Sequence, residues 1–134
     1  MLHNPLHFDR YEKLGTTTPR DYYIQIPGVS EGQNDKLTRS ADHRDIWLHT
    51  QKIHGSHVIL WTEGQAPDLQ SLNEAACLAA WFSQGREGKK VPVDYTPVKY
   101  VKKPAGARPG MVIYTTYQTA YVDPDPTLAE RLKA

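Results

Sequence analysis

Lys99, Lys102, Lys103 and Arg108 fall within one short span, VPVDYTPVKYVKKPAGARPG (Val91 to Gly110), interleaved with Tyr95, Tyr100 and four prolines. Cations held on a stiff backbone can neutralise phosphates and release counterions, and rings beside them can stack on unpaired bases. The charge is concentrated there: from Gln84 to Gly110 the local net is +5 in a chain whose total is +1, so the remaining residues sum to −4. A localised stripe of this kind points to a polyanion more firmly than overall pI does. A merely solvated face would show a similar run of charge, and tyrosine is also an ordinary strand residue.

His49 and His57 are the residues to test for acid–base or metal chemistry. Alternation groups Trp47 with His49, and His57 with Ile59 and Trp61, so pairing of the two segments could bring both imidazoles to one sheet face. A hydrolytic metal site needs a third ligand, for which His43, His54 and Asp45 are available, yet none has a spacing such as HExxH. Ser56 and His57 are adjacent and point to opposite faces of a strand, and no GxSxG elbow is present, which argues against a triad with Asp45. KPAGARPG lacks the GxxxxGK[ST] pattern of a phosphate-cradling loop. Cys77 sits in the apolar run AACLAAWF, with no base or cation beside it to stabilise a thiolate. The residues therefore favour binding over catalysis, with no catalytic residue, metal or cofactor expected. Two rivals remain: a module that docks an acidic protein partner through the basic segment, and a metal-dependent hydrolase built on His49 and His57.

The elements that must position these residues are legible from periodicity. Residues 1–20 show no sustained period and read as an irregular lead-in. Tyr22, Ile24 and Ile26 alternate with polar neighbours as a half-buried strand does. A polar loop, Gly28 to Asp35, follows. Asp45 to His49 and His57 to Trp61 read as strands joined by a connection short enough for antiparallel neighbours. Leu69, Leu72, Ala76, Ala79 and Phe82 recur at helical spacing between Pro67 and Gly85. Asp68 or Ser71 is placed to cap that helix, Ser71 with Glu74 matches a capping box, and Gly85 is placed to end it in a left-handed conformation. Val91 to Tyr95 and Val98 to Val101 look extended, and Pro92 and Pro97 suggest edge strands. Met111 to Thr115 and Thr119 to Val122 suggest a hairpin about Thr116 to Gln118. The end, TLAERLKA, reads as a short helical turn or a frayed tail. The expected fold is α+β: a mostly antiparallel sheet with one main helix packed on one face.

The chain has 134 residues, enough for one domain with a modest core. Its single cysteine cannot form an internal disulfide, no apolar run is long enough to cross a bilayer, and the start lacks the apolar core of a secretion signal. These features predict a soluble cytoplasmic protein with no membrane partner.

WLHTQKIHGSHVIL, NEAACLAAWFS and VPVDYTPVKYVKKPAGARPGMVIY, in this order, resemble the NFACT-R domain at the C-terminal end of NFACT proteins. That family includes bacterial fibronectin-binding-protein homologues and the ribosome quality-control factors that bind tRNA on a stalled large subunit and add tails to the nascent chain. The resemblance runs from Asp21 to Asp123, leaving residues 124–134 as a C-terminal tail. It implies a non-catalytic module for tRNA or ribosomal RNA, with the large ribosomal subunit as a further partner. Carried over by position, it highlights Asn34 and Asp35, Trp47, His49 and Thr50, then Gly55, Ser56 and His57. It also highlights Asp94, Tyr95 and Thr96, and Lys102, Lys103, Pro104, Gly106, Pro109 and Gly110. The expected RNA contacts are Lys99, Lys102, Lys103, Arg108 and Asn34, with His49, His57 and Tyr95 shaping the adjacent surface. The family's arginine and asparagines in the first loop are replaced by Val29, Ser30 and Glu31, which predicts a weaker phosphate grip there, and His54 stands where proline is usual. The family's N-terminal domain, helix-hairpin-helix region and coiled coil have no counterpart in these residues, so tail synthesis is not expected of this chain alone.

Overall fold

The alternation in IWLHT and VILW builds the centre of a sheet. In the computed structural model, which describes residues 6–9, 23–26, 37–62, 66–67, 69–108 and 111–132, β3 (Ile46–Thr50) and β4 (Val58–Trp61) pair antiparallel with Trp47 opposite Ile59. Around them lie β1 (Leu6–Asp9), β2 (Tyr23–Ile26), β5 (Val91–Pro97) and β6 (Gln118–Val122). The order in the six-stranded sheet is β1-β2-β4-β3-β5-β6, and every pairing is antiparallel. The fold is α+β, as the periodicity predicts. The lead-in differs from expectation, because β1 lies within it and pairs with β2. The loop from Gly28 to Asp35 lies outside the described residues.

One face of the sheet is apolar because its inward set is Ile46, Leu48, Val58, Leu60, Val91 and Val93, all buried. Helix α1 (Leu69–Trp81) covers it with Leu78 and with Ala75, Ala76, Ala79 and Ala80, whose small side chains let the helix backbone approach closely. Of the expected stripe, Ala76 and Ala79 are buried and Leu72 and Phe82 pack against the same core, while Leu69 is 72% exposed. Ser71 lies inside the helix and is buried, so it does not cap it, and Asp68 is outside the described residues. A second helix, α2 (Pro126–Leu132), packs on α1 and buries Leu128 in the same core, so the tail expected at 124–134 contains a core element.

Gly85 does not end α1 with a left-handed turn; among the described glycines only Gly106 has positive φ. The helix is closed instead by side chains and by the β3–β4 turn. Ser83 Oγ donates to Ala80 O (2.7 Å), Arg86 Nε donates to Trp81 O (3.0 Å), and the Ser56 N–H donates to Phe82 O (3.2 Å). These bonds satisfy carbonyls that a helix end leaves without partners. Gly55 permits this approach: a Cβ there would stand 2.8 Å from Ser83 Cβ, so no larger residue fits without moving the turn off the helix end.

Three expectations for the chain after α1 are corrected. β5 lies inside the sheet despite Pro92 and Pro97. Pro97 is its last residue, and Pro92 meets β3 just past the last residue paired there, where its carbonyl still accepts from the Gln51 N–H (2.9 Å). The missing donor therefore falls where the ladder has ended. Val98–Tyr100 is a single 3-10 turn, not a strand. Nor do residues 111–115 form a hairpin with β6. β6 pairs with β5, while Ile113 makes an isolated bridge to Lys102.

Candidate nucleic-acid interface

The sheet's other face carries Trp47 and His49 from β3, Ile59 from β4, and Asp94 and Thr96 from β5. The chain at 98–108 and 111–114 folds back over it. Trp47, Ile59, Leu37 and Val98 form a small second core, with Ala41, Trp61, Val101, Val112 and Tyr114 packed against it. The backbone fixes the fold-back: the Val98 N–H donates to Asp45 O (2.8 Å) and the Lys99 N–H to His43 O (3.2 Å). Lys102 and Ile113 exchange N–H to carbonyl bonds of 2.9 and 2.7 Å. Asp94, 2% exposed, anchors the returning segments: it accepts from Gln51 Nε2 (3.1 Å), Tyr114 OH (2.6 Å) and Thr119 Oγ1 (2.7 Å).

This packing opens a cleft of about 300 Å³ between the helical turn at 37–40 and the fold-back. Arg39 and His43 line one wall, and Lys99, Lys102 and Lys103 line the other, over a floor that includes Val98 and Val112. Cations from two distant parts of the chain thus face one concavity, an arrangement that concentrates positive potential where an anion can enter. Lys103 also has a local task. Its Nζ donates to Arg108 O (2.7 Å) and Met111 O (3.3 Å), gathering the ends of a loop that turns at Gly106 (φ 76°).

The predicted residues divide. Lys99, Lys102 and Lys103 converge on the cleft, whereas the exposed Arg108 does not line it. Asn34 lies outside the described residues. His49 and His57 do share a face, with ring centroids 5.2 Å apart, and Trp47 stacks on His49 at 5.8 Å. His57 does not shape a surface as expected: it is 1% exposed, and its Nδ1 is 2.8 Å from Thr38 Oγ1, so it supports the cleft's floor from within, whereas His49 is half-buried. Tyr95 is on the opposite face, packed against the core under α1 with its hydroxyl donating to Gln118 Oε1 (2.8 Å), because its position on β5 has the parity of Val93. Arg39 and His43 had no local signal as partners of the basic segment; only the backbone bonds to residues 98 and 99 bring them there.

His49 Nδ1 is 2.7 Å from Thr50 O and its Nε2 is 3.3 Å from Gly55 O. Burial depresses its pKa below the usual histidine range, outweighing the two carbonyls, which favour the charged ring. A neutral ring donates from one nitrogen only, and the shorter contact assigns that donor to Nδ1. With the folded pKa below the unfolded one, the unfolded chain binds the proton more readily. The stabilisation is complete above the unfolded value of about 6.5 and is lost as pH falls through that value towards the folded one. Urea midpoints measured across this window should fall more steeply for the wild type than for His49→Gln.

Neither imidazole forms part of a three-ligand constellation; among the described residues no group of three or more His, Cys, Asp or Glu could hold a metal ion. Burial first, then the carboxylates of Asp125, Asp123 and Glu74, push the Cys77 thiol up to about 11, which suits packing rather than nucleophilic attack. Among the described residues no helix is long and apolar enough to cross a membrane.

Fold and cleft together define an α+β domain whose helix covers one sheet face and whose other face presents a structured cationic concavity. The chain belongs to the family described as the NFACT protein RNA binding domain, whose model matches residues 9–115. It is 42% identical over 132 residues to the Rqc2 homolog RqcH of Bacillus subtilis (strain 168), covering 98% of this chain and 22% of that protein. It is 43% identical over 99 residues to the Rqc2 homolog RqcH of Streptococcus pneumoniae serotype 2, covering 73% and 18%. The solved C-terminal part of the fibronectin/fibrinogen-binding protein from Streptococcus suis superposes with a TM-score of 0.84 at 30% identity, over 100% of this chain and 50% of that one. The chain spans about a fifth of the length of these RqcH relatives.

Proposed function

We propose that this chain is a non-catalytic RNA-binding module that grips backbone phosphates of tRNA or ribosomal RNA in the cleft between Arg39, His43, Lys99 and Lys102, within ribosome-associated quality control on the large subunit. The observation that carries the reading is the convergence on one concavity of cations separated by more than half the described chain. Membership of an RNA-binding family and similarity to Rqc2 homologues supply the context. The exposed Lys99 and Lys102 act as phosphate contacts, while Lys103 mainly holds the loop that presents them. His49, whose ring nitrogens face backbone carbonyls, and the buried His57 are structural supports, which favours binding over hydrolysis.

The test is the salt dependence of tRNA binding. Lys99→Glu with Lys102→Glu should lower affinity for labelled tRNA roughly 10- to 100-fold and make the slope of log K against log salt shallower by about 1.4 to 1.8, the share of two phosphate contacts. Unchanged affinity and slope in that variant would remove the cleft from RNA binding.

A further inference from the structure

The aromatic contacts do not stop at the second core. Trp47 packs on Tyr114 with centroids 4.8 Å apart, and Tyr114 meets Tyr117 edge to face at 5.1 Å. Tyr117 is 45% exposed, so the series surfaces there. Two alternations further along β6, Tyr121 is 66% exposed. Thr119 donates to Asp94, so alternation puts Tyr121 on the face that also holds the cleft, and Tyr117, just before β6, is placed there by its contact with Tyr114. At about 3.4 Å per strand residue, four residues of near-extended chain separate the two positions by roughly 14 Å or less along the backbone, room for a base on each ring. β6 is the sheet's edge strand, so no further described strand covers its outer side.

The register then carries this row to a second basic corner. Tyr121 lies opposite Pro92, and the Pro92 carbonyl accepts from Gln51, which brings the turn holding Lys52 to the same end of β5 as Lys90. Lys52 and Lys90 are exposed and both have positive φ, 61° and 53°. Glycine takes that conformation at little cost, whereas a lysine is strained in it. The Lys90 N–H donates to Asp123 Oδ1 (2.8 Å), which holds that turn through its backbone and leaves the exposed lysine side chain available to a ligand. The cleft lies past the opposite end of β5, so cations flank both ends of the exposed tyrosine row.

We infer that this face takes single-stranded RNA: a strand leaves the cleft at Lys99 and Lys102, stacks unpaired bases on Tyr117 and Tyr121, and ends with its phosphates on Lys52 and Lys90. The inference rests on the RNA-binding reading and extends it, because a duplex, with its bases already stacked on one another, offers these rings nothing to stack against. Alternating rings and cations along an open groove are how sequence-tolerant single-strand binding is built.

The experiment compares a labelled single-stranded oligoadenylate with an RNA duplex of the same length, on the full chain. Tyr117→Ala with Tyr121→Ala should weaken single-strand binding about 10- to 100-fold and leave duplex binding within a few-fold, while Phe at both positions, which keeps the stacking ring, restores single-strand affinity. Tyr121→Ala alone, at the more exposed site, should give part of the loss with the thermal melt unchanged. Lys52→Glu with Lys90→Glu should abolish the gain in affinity seen as the oligoadenylate is lengthened. Single-strand affinity unchanged in the folded alanine variants would overturn the inference while leaving the cleft intact, and would leave the β6 edge to a polypeptide partner. Failure of the wild type to bind either RNA would sink both readings.

Discussion

Asp94→Ala is expected to destabilise the domain by about 3 kcal/mol, because three hydrogen bonds to one buried carboxylate disappear together and bonds to charged groups are worth more than neutral ones. For a chain of this length that corresponds to a fall in melting temperature of roughly 10 °C. The loss is larger than for any one surface cation because the donors come from three places: the β3–β4 turn, the returning loop and the edge strand. Tyr114 suffers most. Burial, its hydrogen bond to Asp94 and the carboxylate charge all hold its phenol well above the usual tyrosine range, so it stays a donor and loses its acceptor in the variant. Asp94→Asn keeps one acceptor oxygen but turns an amide towards groups that donate, and should fall between wild type and alanine. Denaturant melts of Asp94→Ala, Tyr114→Phe and the double variant form a cycle. A coupling near zero would show that Asp94 does not hold the loop through Tyr114.

The same residue shows where sequence reasoning stops. The resemblance marked Asp94 beside Tyr95, and alternation alone sends those two neighbours to opposite faces. Which face is which depends on pairing with β3, and only the register Leu48 opposite Tyr95 and His49 opposite Asp94 decides it. β3, β4 and α1 were legible because their apolar periods are strong and their connections short. β5 was mistaken for an edge because a proline is normally excluded from a ladder. The exception exists because Pro92 falls one residue past the last pair with β3, where it serves as acceptor to the Gln51 N–H. The expected 111–122 hairpin failed for a related reason: β5 offers β6 a full ladder of five residue pairs, and the intervening chain satisfies itself with one bridge to Lys102. Charge excess located the basic segment correctly, but charge has no period. It could not show that Lys103 is engaged with its own loop, or that Arg39 and His43 stand opposite Lys99.

Trp47→Ala should be the most damaging single change at the second core, costing about 3–5 kcal/mol, as for other buried tryptophan truncations. Trp47 is 1% exposed and touches both histidines and Tyr114, so its removal leaves a void at the junction of β3, β4 and the fold-back that those elements cannot close without breaking their ladders. Trp47→Phe is the more informative partner. The indole Nε1 is buried and meets no acceptor among the described residues, so replacing indole by phenyl gives up volume but no hydrogen bond. The phenyl variant should therefore cost only about 1–2 kcal/mol, the range of a partly filled cavity. A phenyl cost well above that range would mean that the indole N–H is satisfied after all, since the lost bond would then add to the lost volume. Because Trp47 lies beneath the cleft and not in it, the folded phenyl variant should also keep the wild-type affinity for tRNA. Its place in the family pattern is then explained by support of the surface that carries Lys99 and Lys102, with no contact of its own to the nucleic acid.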